Sequence, residues 1–249
     1  MKVKCLLLPL GALAAAVLSA RAQTNIYSIN VVGYANIVFQ QGNNWIGNPL
    51  DNAPDTLSTV LSNAPVGTTV SLWNSTVDQF TPSSTFNGSS WSVDVTLAPG
   101  TGALLTTPIL FTNTFVGNVL DFNGSLYDGN SLHEPPPFSG PNGMYLFSSK
   151  TPIALSGHAF NPQGPYSVFE SIIGRAPRNG EQVTTLDAVT QTYHTTTFMN
   201  GSWDNGDPTL ALGAAAMFNI GPVPEPSVLG LLALGFGACA LRPRPRARG

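Results

Sequence analysis

The feature that most constrains this chain is that it nearly repeats itself after 113 residues. Val70 and Trp73 are answered by Val183 and Leu186, and Phe86-Asn87-Gly88-Ser89 by Met199-Asn200-Gly201-Ser202. Trp91 returns as Trp203, one residue early, after which Thr96-Leu97-Ala98 and Gly100 return in register as Thr209-Leu210-Ala211 and Gly213. Upstream, Leu57, Val60, Leu61 and Ala64-Pro65 face Phe169, Ile172, Ile173 and Ala176-Pro177 at a spacing of 112, and Asn48-Pro49 faces Asn161-Pro162. Two copies are too few for a solenoid, so each is expected to be a small domain or one half of a pseudo-symmetric one.

Within a copy the pattern reads as β. The 249 residues include 25 Gly and 21 Pro and only 9% are charged, which argues against long helices or a coiled coil. The 13 Phe, 6 Tyr and 4 Trp supply enough apolar surface to offset chain entropy, which argues against general disorder. Leu57, Val60 and Leu61 have the spacing of one helix of about two turns, and Phe169, Ile172 and Ile173 repeat it. Val70-Ser71-Leu72 alternates as a half-buried strand does, and Asn87-Gly88 is hairpin chemistry. Further strands are expected over Trp91 to Val95, Gly102 to Leu105 and Leu110 to Val116. The expected fold is mainly β: two tandem copies of a β-rich unit, each with one short helix, over 23–120 and 142–221. Between them, 121–141 is a Pro/Gly-rich linker in which His133-Glu134-Pro135-Pro136-Pro137 forbids regular pairing and favours an extended spacer.

Both ends read as addresses. Residues 1–22 have the form of a secretory signal: Lys2 and Lys4, an apolar run from Cys5 to Leu18, and the small-x-small site Ala20-Arg21-Ala22, so the mature chain should begin near Gln23. At the other end Val223-Pro224-Glu225-Pro226 precedes an apolar run over 227–241 and a tail, 242–249, carrying Arg242, Arg244, Arg246 and Arg248. A helix of that length is roughly 22 Å long, short of a ~30 Å hydrocarbon layer, and spans it only if the arginines snorkel or the bilayer thins. The arginines would hold the tail on the cytoplasmic side. The alternative is a plain tail anchor that is never cut.

In that order of parts, 223–249 resembles the PEP-CTERM sorting signal of exported proteins of Gram-negative bacteria. The resemblance implies recognition by an exosortase-like membrane enzyme acting near the Pro-Glu-Pro, after passage through the export translocon and an inner-membrane intermediate. The destination it implies is the cell surface or the extracellular polysaccharide matrix. Prolines interrupt the arginine tail, which weakens a helical reading of the end. The body resembles a repeat of exported bacterial proteins to which no chemistry is assigned. This likeness rests on Val31-Val32-Gly33-Tyr34, Gly42 to Leu50, Gly67-Thr68-Thr69-Val70, Trp91 and Leu97-Ala98-Pro99-Gly100-Thr101-Gly102. It is looser in the second copy, where Leu212 replaces Pro99 and Ala214-Ala215 replace Thr101-Gly102.

Charge and chemistry narrow the function of the body. Between Gln23 and Pro222 the only cations are Lys150, Arg175 and Arg178 against twelve acids, a net charge of about −9 that repels a phosphate backbone and excludes nucleic acid. Both cysteines, Cys5 and Cys239, lie in the targeting segments, so no disulfide is expected in the body. Gly-x-Ser-x-Gly, His-Glu-x-x-His and phosphate-loop patterns are absent, and His133, His158 and His194 are far apart in sequence, so neither a metal nor a cofactor is expected. Glycoside hydrolysis needs two acids across a cleft; Asp78 and Asp94 are candidates, but Gln191 stands where a second copy of Asp78 would be and only Asp207 answers Asp94. Asp204-Asn205-Gly206-Asp207 and the run from Asp121 to Asn130 are oxygen-rich without EF-hand spacing and read first as solvated turns. Trp91 and Trp203 follow the same turn in both copies; they are candidates for glycan stacking, with packing of the hairpin onto the helix the preferred use. The expected function is a non-enzymatic structural, adhesive or glycan-associated protein of the cell surface or matrix, with exopolysaccharide a candidate partner. The alternative is a secreted carbohydrate-active hydrolase.

Overall fold

The computed structural model describes residues 31–129, 132–157 and 166–221. The signal segment, the sorting segment and the pair Asn161-Pro162 therefore lie outside the described residues. Among those described the chain is mainly β, with several antiparallel sheets and two very short helices. One sheet orders β2 (Gly42–Gly47), β6 (Gly102–Thr107), β3 (Thr69–Asn74) and β4 (Gln79–Phe80), with β5 (Ser84–Thr85) also on β3. A second orders β8 (Gly143–Ser148), β12 (Ala215–Ile220), β9 (Gln182–Asp187), β10 (Thr192–Met199) and β11 (Ser202–Trp203). A separate ribbon pairs β1 (Val32–Phe39) with β7 (Phe111–Asn118) along eight residues. The helices are α1 (Leu57–Val60) and α2 (Val168–Ile173).

Period-two alternation decides which face each strand turns to which layer. Ile46, Val70, Ala103 and Leu105 face a first core shared with α1 and with Ala35, Phe39 and Phe115 of the ribbon. Tyr145, Val183, Ala216 and Phe218 face a second core shared with Phe169 and Ile173 of α2. The opposite faces meet each other: Leu146, Ala215 and Met217 pack on Trp45, Trp73 and Phe80 between the two sheets.

The contact between the sheets is reciprocal. The turn before β6 lies along β8, where the Ser148 amide donates to the Gly100 carbonyl at 3.1 Å. The turn before β12 lies along β2, where the Gly47 amide donates to the Gly213 carbonyl at 2.9 Å. Isolated bridges extend both contacts, Thr101 with Phe147 and Ile46 with Ala214. Gly100 and Gly213 hold φ of 91° and 72°, a left-handed turn that lets each carbonyl leave its own strand and reach the other sheet. Two close approaches fill the centre. A Cβ on Gly102 would sit 2.8 Å from the Leu146 carbonyl and 2.9 Å from the Ala215 Cβ, and one on Gly47 would collide with Ser148.

The spacing of 113 recurs in backbone conformation as well as in sequence. Left-handed residues fall at Gly67 and Gly180, Asp78 and Gln191, Gly88 and Gly201, and Gly100 and Gly213. The first residues of β3 and β9, of β4 and β10, and of β6 and β12 are separated by the same interval. The edge strands depart from it, because β2 begins at Gly42 and β8 at Gly143. From edge strand to helix N-cap the chain takes 14 residues in the first half, Gly42 to Thr56, and 24 in the second, Gly143 to Ser167. That longer excursion hides the correspondence of β2 with β8 from a fixed-interval comparison.

Three expectations are corrected. The first helix is a single turn of 4 residues rather than two turns, because hydrogen-bonding partners outside it take over at both ends. Asp94 accepts from the Ser58 amide at 2.9 Å at one end, and buried Asn113 donates to the Val60 carbonyl at 2.7 Å at the other. Trp91 makes one isolated bridge, with Phe86, and Ser92 to Val95 are bends and irregular backbone instead of a strand. The segment expected to be an extended spacer is packed: Phe122 and Leu132 are buried in the second core, and the Phe138 amide donates to the Ile173 carbonyl at 2.8 Å. Pro135 to Pro137 indeed enter no strand, but their apolar neighbours give the segment a surface to bury.

The collision between Gly47 and Ser148 is testable as a pair. Gly47→Ala alone should destabilise the fold by about 1–3 kcal/mol through overpacking. In the Ser148→Gly background the same change should cost less, by a coupling of about 0.5–2 kcal/mol in urea unfolding. Strict additivity would contradict close packing at this point.

Candidate functional site

The terminal candidates, Ala20, Ala22, Val223, Pro224, Glu225, Pro226, Arg242, Arg244, Arg246 and Arg248, and also His158, lie outside the described residues. Among the described residues no helix is long and apolar enough to cross a membrane.

Trp91 and Trp203 are each 7% exposed, and their ring faces are taken up by packing. Trp91 lies 5.3 Å from Phe86, and Trp203 lies 5.3 Å from Phe198 and 6.0 Å from Phe169 of α2. Each closes its hairpin onto the core beneath a helix, so neither presents the open aromatic face that sugar stacking uses. Aromatic side chains also stand at the inter-sheet seam, where Trp45 lies 5.2 Å from Tyr193 and the Trp73 indole donates to the Met144 carbonyl at 2.7 Å.

The acids selected for hydrolysis are dispersed among structural roles. Asp78 is an exposed, left-handed residue of the β3–β4 turn. Asp94 caps α1, taking the Ser58 hydroxyl at 2.6 Å as well as its amide. Partial desolvation would raise the Asp94 carboxyl, but the Ser58 bonds outweigh it and hold Asp94 below the ordinary range. Gln191, the counterpart of Asp78, is bonded across the seam: its amide oxygen accepts from the Asn43 N–H at 2.9 Å and its amide nitrogen donates to the Asn43 carbonyl at 2.9 Å. Asp207 and His194 line one open, polar hollow of about 610 Å³ beside β10, in which Asp207 is the single carboxylate of the lining. Hydrolysis by the two-carboxylate route needs a second.

The oxygen-rich turns hold themselves together. Asp204 accepts from the Thr197 amide at 2.8 Å and from the Thr196 hydroxyl at 3.2 Å, and the first of these bonds lowers its carboxyl most. Asp121 is buried; it accepts from the amides of Phe122 at 2.7 Å and His133 at 2.8 Å, and its second oxygen meets the His133 ring at 2.6 Å. Among the described residues no group of three or more His, Cys, Asp or Glu could hold a metal ion.

Two acids that were not singled out in the sequence are also buried. Glu181, 1% exposed, forms a two-bonded pair with Arg175 at 2.9 and 2.6 Å and accepts from the Arg178 amide. Asp55, 6% exposed, accepts from Asn48 Nδ2 at 3.0 Å and the Asn52 amide at 2.8 Å. Burial, with Asp51 nearby, raises the Asp55 carboxyl against the pull of those two bonds.

The seam also encloses a cavity of about 320 Å³. Phe122, Phe138, Phe147 and Ile172 form apolar walls, and Thr101, Ser148, Lys150 and Ser171 are the polar residues of the lining. The Ser171 side-chain oxygen is buried and has no hydrogen-bond partner among the described residues. The sequence offered one unused signal for this place: Lys150 is the only lysine between Gln23 and Pro222.

No family model, curated protein or solved structure matches this chain.

Two outcomes follow from these placements. Trp91→Ala and Trp203→Ala should each cost about 3–5 kcal/mol of stability, measured by denaturant unfolding, as loss of a packed aromatic does; a change near zero would mean that the rings are not core. For Asp55 the folded carboxyl is raised, so in the window between the unfolded value of about 3.9 and that raised value the folded chain binds more protons and stability falls as pH rises. Asp55→Asn keeps the accepting oxygen and tolerates the left-handed backbone, so melting across pH 4–8 should show a flatter decline and no loss at neutral pH.

Proposed function

We propose that this chain is an exported protein of the Gram-negative envelope, built of two tandem copies of a β-rich unit and delivered by an exosortase-like system to the cell surface or extracellular matrix. The observation that carries the proposal is the order of three parts at the C-terminus: Val223-Pro224-Glu225-Pro226, an apolar run, and four arginines. Each part has a separate physical use, as a recognition element, a membrane stop and a charge lock on the cytoplasmic side. The apolar N-terminal run with Lys2 and Lys4 supports the same route independently. The two-copy reading is supported by the four left-handed pairs at a spacing of 113 and by the matching order of the strands.

In its final place the protein acts without catalysis, as a structural or adhesive component associated with polysaccharide. This is supported by what the two halves share: a capped helix turn, a hairpin and a buried aromatic, all of which serve packing. The acids singled out for hydrolysis serve instead as a helix cap and a turn residue.

Fractionation with intact-mass measurement tests the route in a host with and without an exosortase. With the enzyme, surface material should begin near Gln23 and lack the arginine tail; without it, the tail should persist in the membrane. Glu225→Ala should retain the tail in both hosts. The complete 249-residue chain freely soluble in the cytosol would overturn the reading.

A further inference from the structure

The seam is reciprocal, yet its two sides are finished differently. Beside Gly213, the space a side chain would take is filled by Ile37 of β1, which packs into the first core. Beside Gly100, the corresponding neighbour is the stem of Lys150, with Cγ 3.0 Å and Cε 3.2 Å from where a Cβ would stand. No ribbon strand plugs that side, and the cavity of about 320 Å³ opens there. One side of the junction is thus closed by an apolar plug, and the other is hollow with a cation on its wall.

The chemistry of the hollow is selective. Lys150 is one of three cations among the described residues, and it forms no ion pair there, whereas Arg175 is committed to Glu181. Its ammonium lies 3.5 Å from where a Cβ on Gly124 would stand, so no side chain at that position crowds it. Of the other polar residues in the lining, Ser148 donates its hydroxyl to the Thr101 carbonyl at 3.1 Å, and the Ser171 oxygen is buried out of an occupant's reach. The remaining walls are three phenylalanine rings, an isoleucine, three prolines and Gly100. A point positive charge and flat apolar walls match a ligand with a single negative charge and a ring. The volume is at the small end for ligand sites, about one sugar or aromatic ring with its substituents.

We propose that this cavity binds a ring-bearing monocarboxylate, with the carboxylate at Lys150 and the ring against Phe138 and Phe147. This inference does not depend on the sorting route. The carboxylate could come from a uronic acid of an acidic polysaccharide or from a free aromatic acid, and the two sources are separable.

The test is isothermal titration of the full chain in mild detergent with three probes: D-glucuronate, benzoate and neutral D-glucose. Glucuronate or benzoate should bind at least about tenfold more tightly than glucose, with affinity falling as salt rises. Preference for glucuronate assigns the site to polysaccharide, and preference for benzoate assigns it to a free aromatic acid. Lys150→Met should weaken the preferred acid by at least about tenfold, while Arg178→Met, which removes an exposed cation elsewhere, should leave binding unchanged. Melting temperatures show whether each variant is folded, and Lys150→Arg, which keeps the charge, should retain most of the binding. Failure of both acids to bind, or equal binding by folded Lys150→Met, would overturn the proposal.

Discussion

The structure depends on an exchange of backbone hydrogen bonds at the seam: Gly100 accepts from Ser148, and Gly213 accepts from Gly47. Edge strands leave unpaired N–H and C=O groups, which are a route to aggregation unless covered. Here each edge strand, β2 and β8, is partly covered by the turn that leads into a central strand of the other sheet. The same contact brings the sheets close enough that Gly102 meets Ala215 and Gly47 meets Ser148. Two large residues could not occupy either place, so one partner in each pair must lack a side chain. The glycines that look like turn residues in sequence are in these two cases packing residues.

The two larger sheets run in matching strand order, β2-β6-β3-β4 and β8-β12-β9-β10, but differ in what surrounds them. Among the described residues only the first half carries the β1–β7 ribbon, and Ile37 from that ribbon closes its side of the junction. The second half uses the segment after β7, where Phe122 and Phe138 pack on the core without pairing in a sheet. Prolines there prevent strand formation but hold an extended path across α2, where Gly174 lies against the carbonyls of Pro135 and Pro136. The cavity exists because these two coverings differ, one a close-packed plug and the other a proline-rich strap.

Much of the architecture was legible before any coordinates. The β class followed from Gly, Pro and alternating apolar residues, and the position of both helices from apolar spacing between prolines. The preference for packing over stacking at Trp91 and Trp203 rested on how bulky aromatics are usually used, and both rings are buried. The length of α1 was not legible, because its ends are set by Asp94 and Asn113, 36 and 53 residues away from their partners. Nor was the pairing of β2 with β6 or the role of Gln191, whose amide reaches across 148 residues to Asn43. Such contacts leave no local periodicity to read.

By itself the sequence determined what depends on local pattern: an acidic, cysteine-free body, a mainly β chain with two short helical turns, and terminal runs whose hydrophobicity and flanking charge carry the export reading. Only the tertiary structure decided which groups are spent and which are left over. Asp94, Asp121 and Glu181 all look alike as acids in a row of letters, yet each is bonded to a donor brought by folding. Lys150 and Ser171, unremarkable in the same row, line one hollow. Side-chain chemistry is a property of the residue, but satisfaction of that chemistry is a property of its neighbours, and in a sheet protein the neighbours come from far along the chain.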